Sequence, residues 1–241
     1  MHIKGQKSWT IAYITLALVE IIAHLTQQQT AIYILKPFQM LLLASWFGYN
    51  MRHLSYRPAN VLLLGLLFSC LGDCLLMVAY NSKELFLLGL SAFLLTHVCY
   101  CYSFSHTLRP TRPSAISQHP WFGVPFIAYG AGLLYLVKNF LFEQGLFWAV
   151  FFYACIICAM AIQALNRHGR VPRPSYIKVF VGALVFMLSD SIIALNRFRE
   201  PIPYANIWIM ITYLSAQYLI VWGYLEQLVA MEKKKISANL E

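Results

Sequence analysis

Five ionisable side chains lie where an otherwise apolar chain should not tolerate them: Glu20, Lys36, Asp73, His97 and Asp190. Each falls inside a long hydrophobic run. A charge at the centre of a bilayer costs about 2.5–3.5 kcal/mol or more unless it is paired or faces a cavity, so each is a candidate for function. The two aspartates sit in matching contexts, Leu71-Gly72-Asp73-Cys74-Leu75-Leu76 and Leu188-Ser189-Asp190-Ser191-Ile192-Ile193. Small neighbours let helices approach closely, which would bring the two carboxylates together across an interface. In a low-dielectric, like-charged setting one carboxyl keeps its proton while the other stays ionised, so a single pair supplies both a general acid and a general base. Three chemistries use such a pair: aspartyl hydrolysis of a peptide, hydrolysis of an acid-labile ether, and proton-coupled transport.

Other polar side chains have plainer readings beside the functional ones. Glu20 and Lys36 lie on consecutive antiparallel runs, so they could form a structural ion pair. His97 shares a helical stripe with Phe93, Tyr100 and Phe104, as a packed core histidine would. Tyr80 and Arg197 each follow an aspartate by about two helical turns, at the level of interfacial anchors, where an arginine also suits a lipid phosphate. The six cysteines all fall in hydrophobic runs. Cys155 and Cys158 have C-x-x-C spacing but no second ligand pair, so they are read as packing residues, with neither disulfide nor zinc expected.

The elements that must position these groups follow from composition. Of the 241 residues 60% are apolar and only 11% charged, and the mean hydropathy is +0.62. A soluble domain carries roughly a quarter charged residues. A membrane-spanning helix needs ~20 mostly apolar residues, and eight such runs are present: 9–25, 30–49, 59–80, 84–104, 120–138, 144–166, 176–198 and 204–231. The first follows Lys4 and Lys7 like a signal peptide, but it contains Glu20 and His24 and precedes no small-residue cleavage site, so a retained helix is expected. The expectation is an all-α, polytopic bundle of eight transmembrane helices forming one domain over 1–241. Its membrane would be the bacterial inner membrane, or the endoplasmic reticulum in a eukaryote.

Lys and Arg concentrate in cytoplasmic loops. On the N-terminal side of the runs lie Lys4, Lys7, Arg52, Arg57, Arg109, Arg112, Arg167, Arg170, Arg173, Lys233, Lys234 and Lys235, against Lys83, Lys138, Arg197 and Arg199 opposite. Twelve against four places both termini in the cytoplasm. The net charge of +9 then reflects topology and anionic lipid headgroups, and it makes no case for nucleic-acid binding. Asp73 and Asp190 each stand fourteen residues into a rising run, about 21 Å along a helix. Lys36 and Glu20 come within about a turn of that level, so a polar layer is expected in the outer half of the bilayer. The matched aspartate contexts also fit duplication of a four-helix unit.

Absent motifs narrow the chemistry. There is no G-x-S-x-G, H-E-x-x-H, P-loop or G-x-G-x-x-G, which disfavours a serine lipase, a zincin and an ATP-driven pump. An intramembrane aspartyl protease would also carry Gly-Asp, but the stretch Cys70-Leu71-Gly72-Asp73 lacks the G-x-G-D form and no Pro-Ala-Leu follows. That protease and a proton-coupled transporter remain the alternatives.

Lys36-Pro37, Gly72-Asp73, and then Phe86, Gly89, Phe93, His97 and Tyr100 in the fourth run resemble the YhhN-like lysoplasmalogenases. So do Gly182-Ala183, Phe186, Ser189-Asp190 and Phe198, with Thr212-Tyr213 and Ala216-Gln217 in the last run. Their order and spacing carry the resemblance over most of the chain. It implies hydrolysis of the vinyl ether of a lysoplasmalogen to a fatty aldehyde and glycerophosphoethanolamine or glycerophosphocholine. Asp73 and Asp190 would then be catalytic, one protonating the β-carbon and the other stabilising the oxocarbenium ion and activating water. Lys36, His97, Tyr100, Tyr213, Gln217 and Arg197 would bind substrate. The implied partners are a lysophospholipid and membrane lipids, and the chemistry requires neither a metal nor an organic cofactor.

Overall fold

The structure is a computed structural model describing residues 3–79 and 82–238. Tyr80, expected as an interfacial anchor, lies outside the described residues. Among these there are helices and turns and no strand: α1 Gln6–Leu25, α2 Gln29–Met51, α3 Arg57–Val78, α4 Lys83–Ser105, α5 Ala115–Gln118, α6 Val124–Glu143, α7 Phe147–Leu165, α8 Arg173–Phe198 and α9 Ala205–Ala238. A 3₁₀ turn, Pro120–Gly123, leads into α6. All but α5 belong to spans long and apolar enough to cross a bilayer, giving eight.

Local chemistry sets most boundaries. Pro58 and Pro174 occupy the first turns of α3 and α8, where the missing N–H has no intrahelical partner in any case. Ser82 caps α4, its Oγ accepting from the Leu85 amide at 3.1 Å. The last helix runs seven residues past the expected end at 231, through Glu232 and the lysines at 233–235. Hydropathy falls there, but Glu and Lys are good helix formers and no breaker intervenes. At 1.5 Å per residue α9 is about 51 Å long, so it must project beyond a ~30 Å hydrocarbon core. The four-residue α5, capped by Ser114, is too short to register as a hydrophobic pattern.

Two close helix pairs form the centre. At Gly72 on α3 an added Cβ would lie 2.6 Å from the Phe93 ring of α4, and at Gly182 on α8 it would lie 2.9 Å from Ile220 of α9. Contacts this short exist only where a side chain is absent. In each four-helix half, therefore, the third spanning helix carries an aspartate and packs tightly on the fourth. By contrast α1 and α6 are peripheral. Their outward Ile11, Leu18, Ile22, Ile127 and Tyr135 are exposed, which in water would be a liability and in lipid is the expected solvent-facing surface.

One residue counted among the loop cations is not at the surface. Arg167 is fully buried, its guanidinium donating to Gln227 Oε1 at 2.7 Å and Ser175 Oγ at 2.9 Å between the Phe104 and Tyr224 rings. Burial pushes it down to about 10, with the Tyr224 and Tyr56 hydroxyls opposing the shift, so it keeps its charge at neutral pH. It fastens the α7–α8 turn onto α9.

Candidate functional site

The buried polar groups gather into two constellations, one around each aspartate. Asp73, on α3, is buried, with its Oδ1 3.2 Å from Lys36 Nζ of α2. Its Oδ2 accepts from the Tyr213 hydroxyl of α9 at 2.6 Å. Behind Tyr213 runs a line of hydrogen bonds. Tyr100 donates to Gln217 Oε1 at 2.6 Å, and Gln217 Nε2 donates to Ser69 Oγ at 2.7 Å. Ser69 and Tyr213 lie 2.7 Å apart. With Tyr213 donating to the carboxylate, Ser69 must donate to Tyr213, so every donor in the line points toward Asp73. Four helices thereby converge on one oxygen pair, with a cation and an oriented hydroxyl aimed at its negative charge.

Asp190, on α8, has different company. Its Oδ2 accepts from Tyr153 of α7 at 2.5 Å and lies 3.4 Å from His97 Nε2 of α4. His97 and Tyr153 are themselves 3.0 Å apart. His97 is fully buried and, among the described residues, its Nδ1 has no hydrogen-bond partner, while its Nε2 faces Tyr153 and Asp190. A carboxyl, an imidazole and a phenol in mutual reach can pass a proton among themselves.

The carboxylates are not hydrogen-bonded to one another. Between their partners lies an aromatic wedge: the Phe186 ring packs edge-on to His97 at 4.8 Å and to Tyr213 at 5.6 Å. Phe93 packs against both Phe186 and Tyr213. The close approach at Gly72 seats Phe93 there, which explains the glycine next to Asp73.

Beside Asp190 a narrow apolar slot, a cavity of about 50 Å³, lies between α6, α7 and α8. Val137, Val150, Ile157 and Met187 line it together with Tyr153 and Asp190. Gly130 of α6 lets Cys158 Sγ approach and reach the Phe126 carbonyl at 3.3 Å. That contact is what the second cysteine of the C-x-x-C does. All six cysteines are unbridged.

Of the expected site residues, Lys36, Tyr213, Gln217 and Tyr100 assemble on Asp73, and His97 joins Asp190. Arg197 joins neither. Its guanidinium lies 4.0 Å above the Phe86 ring, at the end of α8. Lys36 is paired with Asp73, whereas Glu20 is fully buried with both oxygens unpartnered. The sequence reading missed two members. Ser69 is one turn before Asp73 and therefore on its face. Tyr153 is a lone hydroxyl deep in an apolar helix, where a buried phenol needs a partner. Either signal could have singled them out.

Comparison with known proteins agrees with this arrangement in extent. The YhhN family model matches residues 31–224. The chain is 31% identical to lysoplasmalogenase TMEM86A of Bos taurus, over 82% of this chain and 78% of that protein. It is 29% identical to the Homo sapiens TMEM86A over the same shares. It is 32% identical to the lysoplasmalogenase of Mycobacterium bovis, over 70% of this chain and 61% of that protein. No solved structure matches significantly.

Proposed function

This chain belongs to the YhhN family, and from that premise we propose that it is a lysoplasmalogenase, using Asp190 as general acid and Asp73 as the ionised partner. The relatives named lysoplasmalogenase support the activity. The observation that carries the division of labour is the difference in company. Asp73 faces a lysine and a donating tyrosine, which favour a fixed negative charge, whereas Asp190 shares proton-exchanging neighbours beside an apolar slot.

A vinyl ether sets the substrate's direction. The β-carbon belongs to the fatty chain and the ether oxygen to the glycerol. With the chain in the slot, the β-carbon comes to Asp190 and the ether oxygen points toward Asp73 and Lys36. Asp190 gives its proton to the β-carbon, and the double-bond electrons form the new C–H bond, leaving an oxocarbenium ion. Asp73 stabilises that cation and takes a proton from the water that attacks it, giving a hemiacetal. Collapse of the hemiacetal breaks the bond to the glycerol oxygen, which takes the proton back from Asp73, while the hemiacetal hydroxyl gives up its own proton toward the His97–Tyr153 pair, releasing aldehyde and glycerophospholipid alcohol. His97 and Tyr153 return a proton to Asp190. The loose packing of α6 supports entry of the chain from lipid, in the bacterial inner membrane or, in a eukaryote, the endoplasmic reticulum.

The test uses purified protein in nanodiscs with a lysoplasmalogen in D₂O. Prompt release of aldehyde carrying one deuterium at C2, on one face only, is the expected result, because a positioned acid approaches from one side. Deuterium on both faces, or steady cleavage of the saturated alkyl ether, would overturn the positioned-acid mechanism.

A further inference from the structure

A second cavity, polar and of about 400 Å³, lies at the end of the bundle where α1 turns into α2 and α8 turns into α9. Its wall includes four carboxamides, Gln27, Gln29, Asn196 and Asn206, with His24 and Tyr204. The cavity sits over the Asp73 constellation. His24 is one turn from Glu20 on α1, and the lining Ile32 is one turn from Lys36 on α2. Ala205, also lining, is two turns from Tyr213 on α9. One to two turns amount to roughly 5–11 Å, about the reach from a glycerol ether oxygen to the end of a phosphoethanolamine.

The carboxamides of the wall carry both donors and acceptors. Asn196 Oδ1 accepts from the Ile202 amide at 2.8 Å, so its NH₂ is available to donate. His24 Nε2 is shielded from solvent and has no partner. The N-termini of α2 and α9 border the cavity, but their opening amides are taken, Gln29 N–H donating to the Gln27 carbonyl at 3.0 Å and Ala205 N–H to the Ile202 carbonyl at 3.1 Å, so an anion there is met by side chains. Arg197 is adjacent in sequence to Asn196 but turned onto Phe86, so the fixed cation that the sequence offered for a phosphate is not in this wall.

Resting on the lysoplasmalogenase reading, we propose that this cavity is the headgroup subsite and that it selects glycerophosphoethanolamine over glycerophosphocholine. The phosphate lies against the carboxamide NH₂ groups. The primary ammonium donates its three N–H bonds to carboxamide oxygens. A quaternary ammonium has no N–H to give and is held instead by aromatic faces. Among the described residues the cavity has one tyrosine, Tyr204, and it is 73% exposed.

The experiment compares kcat/KM of the full chain in nanodiscs for lysoplasmenylethanolamine, lysoplasmenylcholine and the phosphate-free alkenylglycerol. Hydrogen bonds to charged groups correspond to about tenfold or more each, so the ethanolamine substrate should lead choline by about tenfold and alkenylglycerol by more. The Gln29→Leu/Asn206→Leu double variant should reduce the ethanolamine-to-choline ratio to within about twofold, chiefly through KM. Thermal melting and size exclusion report whether it folds, and the single variants serve if it does not. Equal rates for the two lipids, untouched by the variants, would overturn the subsite. A separate arm measures binding of the saturated alkyl-ether lysolipids with ethanolamine and choline heads. If no lipid yields aldehyde, the hydrolase reading fails, and the binding preference still decides the subsite. Inorganic phosphate competing as well as glycerophosphoethanolamine would mark a general anion site and overturn the headgroup assignment.

Discussion

Lys36 Nζ lies 3.2 Å from Asp73 Oδ1, so the lysine of α2 is committed to the third helix and not to Glu20 on the first. The pair is nearly closed to solvent, and Tyr213 completes it from the other side of the carboxylate. A buried ion pair of this kind is costly to break from one end, since the remaining charge keeps its desolvation penalty and loses its partner. Its two contributions, to stability and to catalysis, can therefore be separated.

Asp73→Asn should abolish turnover and also lower stability by about 3–5 kcal/mol, because it strands the Lys36 ammonium. Combining it with Lys36→Met should recover most of the stability and none of the activity. Thermal unfolding in detergent and aldehyde release measure the two effects. An active double variant would remove Asp73 from the chemistry.

Asp190→Asn keeps the shape and the Tyr153 contact but not the transferable proton, so kcat should fall by about 10²–10⁴ with KM little changed. His97→Gln and Tyr153→Phe remove one proton partner each and should lower kcat less than Asp190→Asn does. A variant at Asp190 that raises KM alone would reassign it to binding.

Ala194→Phe would fill part of the slot between α6, α7 and α8. Each methylene kept from an apolar site forfeits about 0.8 kcal/mol, so KM for long-chain substrate should rise by about tenfold or more. Short-chain vinyl ethers should be affected little. Steady-state kinetics across chain lengths make the comparison, and a uniform loss at all lengths would place the fatty chain elsewhere.

The Lys/Arg asymmetry gives an expected orientation. In a background with the native cysteines replaced, single cysteines at Arg112 and Arg170 should react only with reagents that reach the cytoplasm. Labelling from the opposite face would invert the bundle and with it the side on which the headgroup cavity opens.

The eight spans were legible in the sequence because the bilayer itself fixes them: its thickness demands ~20 apolar residues per crossing. Depth was legible for the same reason, since helix rise converts residue number to height, and this put Glu20, Lys36, Asp73 and Asp190 into one layer. Carboxylates at that depth left three chemistries open, and only the family resemblance chose among them. Where composition stopped tracking the helix, as in the charged end of α9, the pattern gave the limit of the membrane and not of the element.

Azimuth was decided only by the tertiary structure. Which face of a helix meets which neighbour depends on close packing at positions such as Gly72 against Phe93 and Gly182 against Ile220, and apolar periodicity is weak where lipid and protein are both apolar. Hence Asp73 turned to Lys36 and Tyr213, Asp190 turned to Tyr153 and His97, and Phe186 came between their partners. The same cause separated Asn196 from Arg197. Height along a helix is a property of the chain, but direction around it is fixed by contacts between segments far apart in sequence.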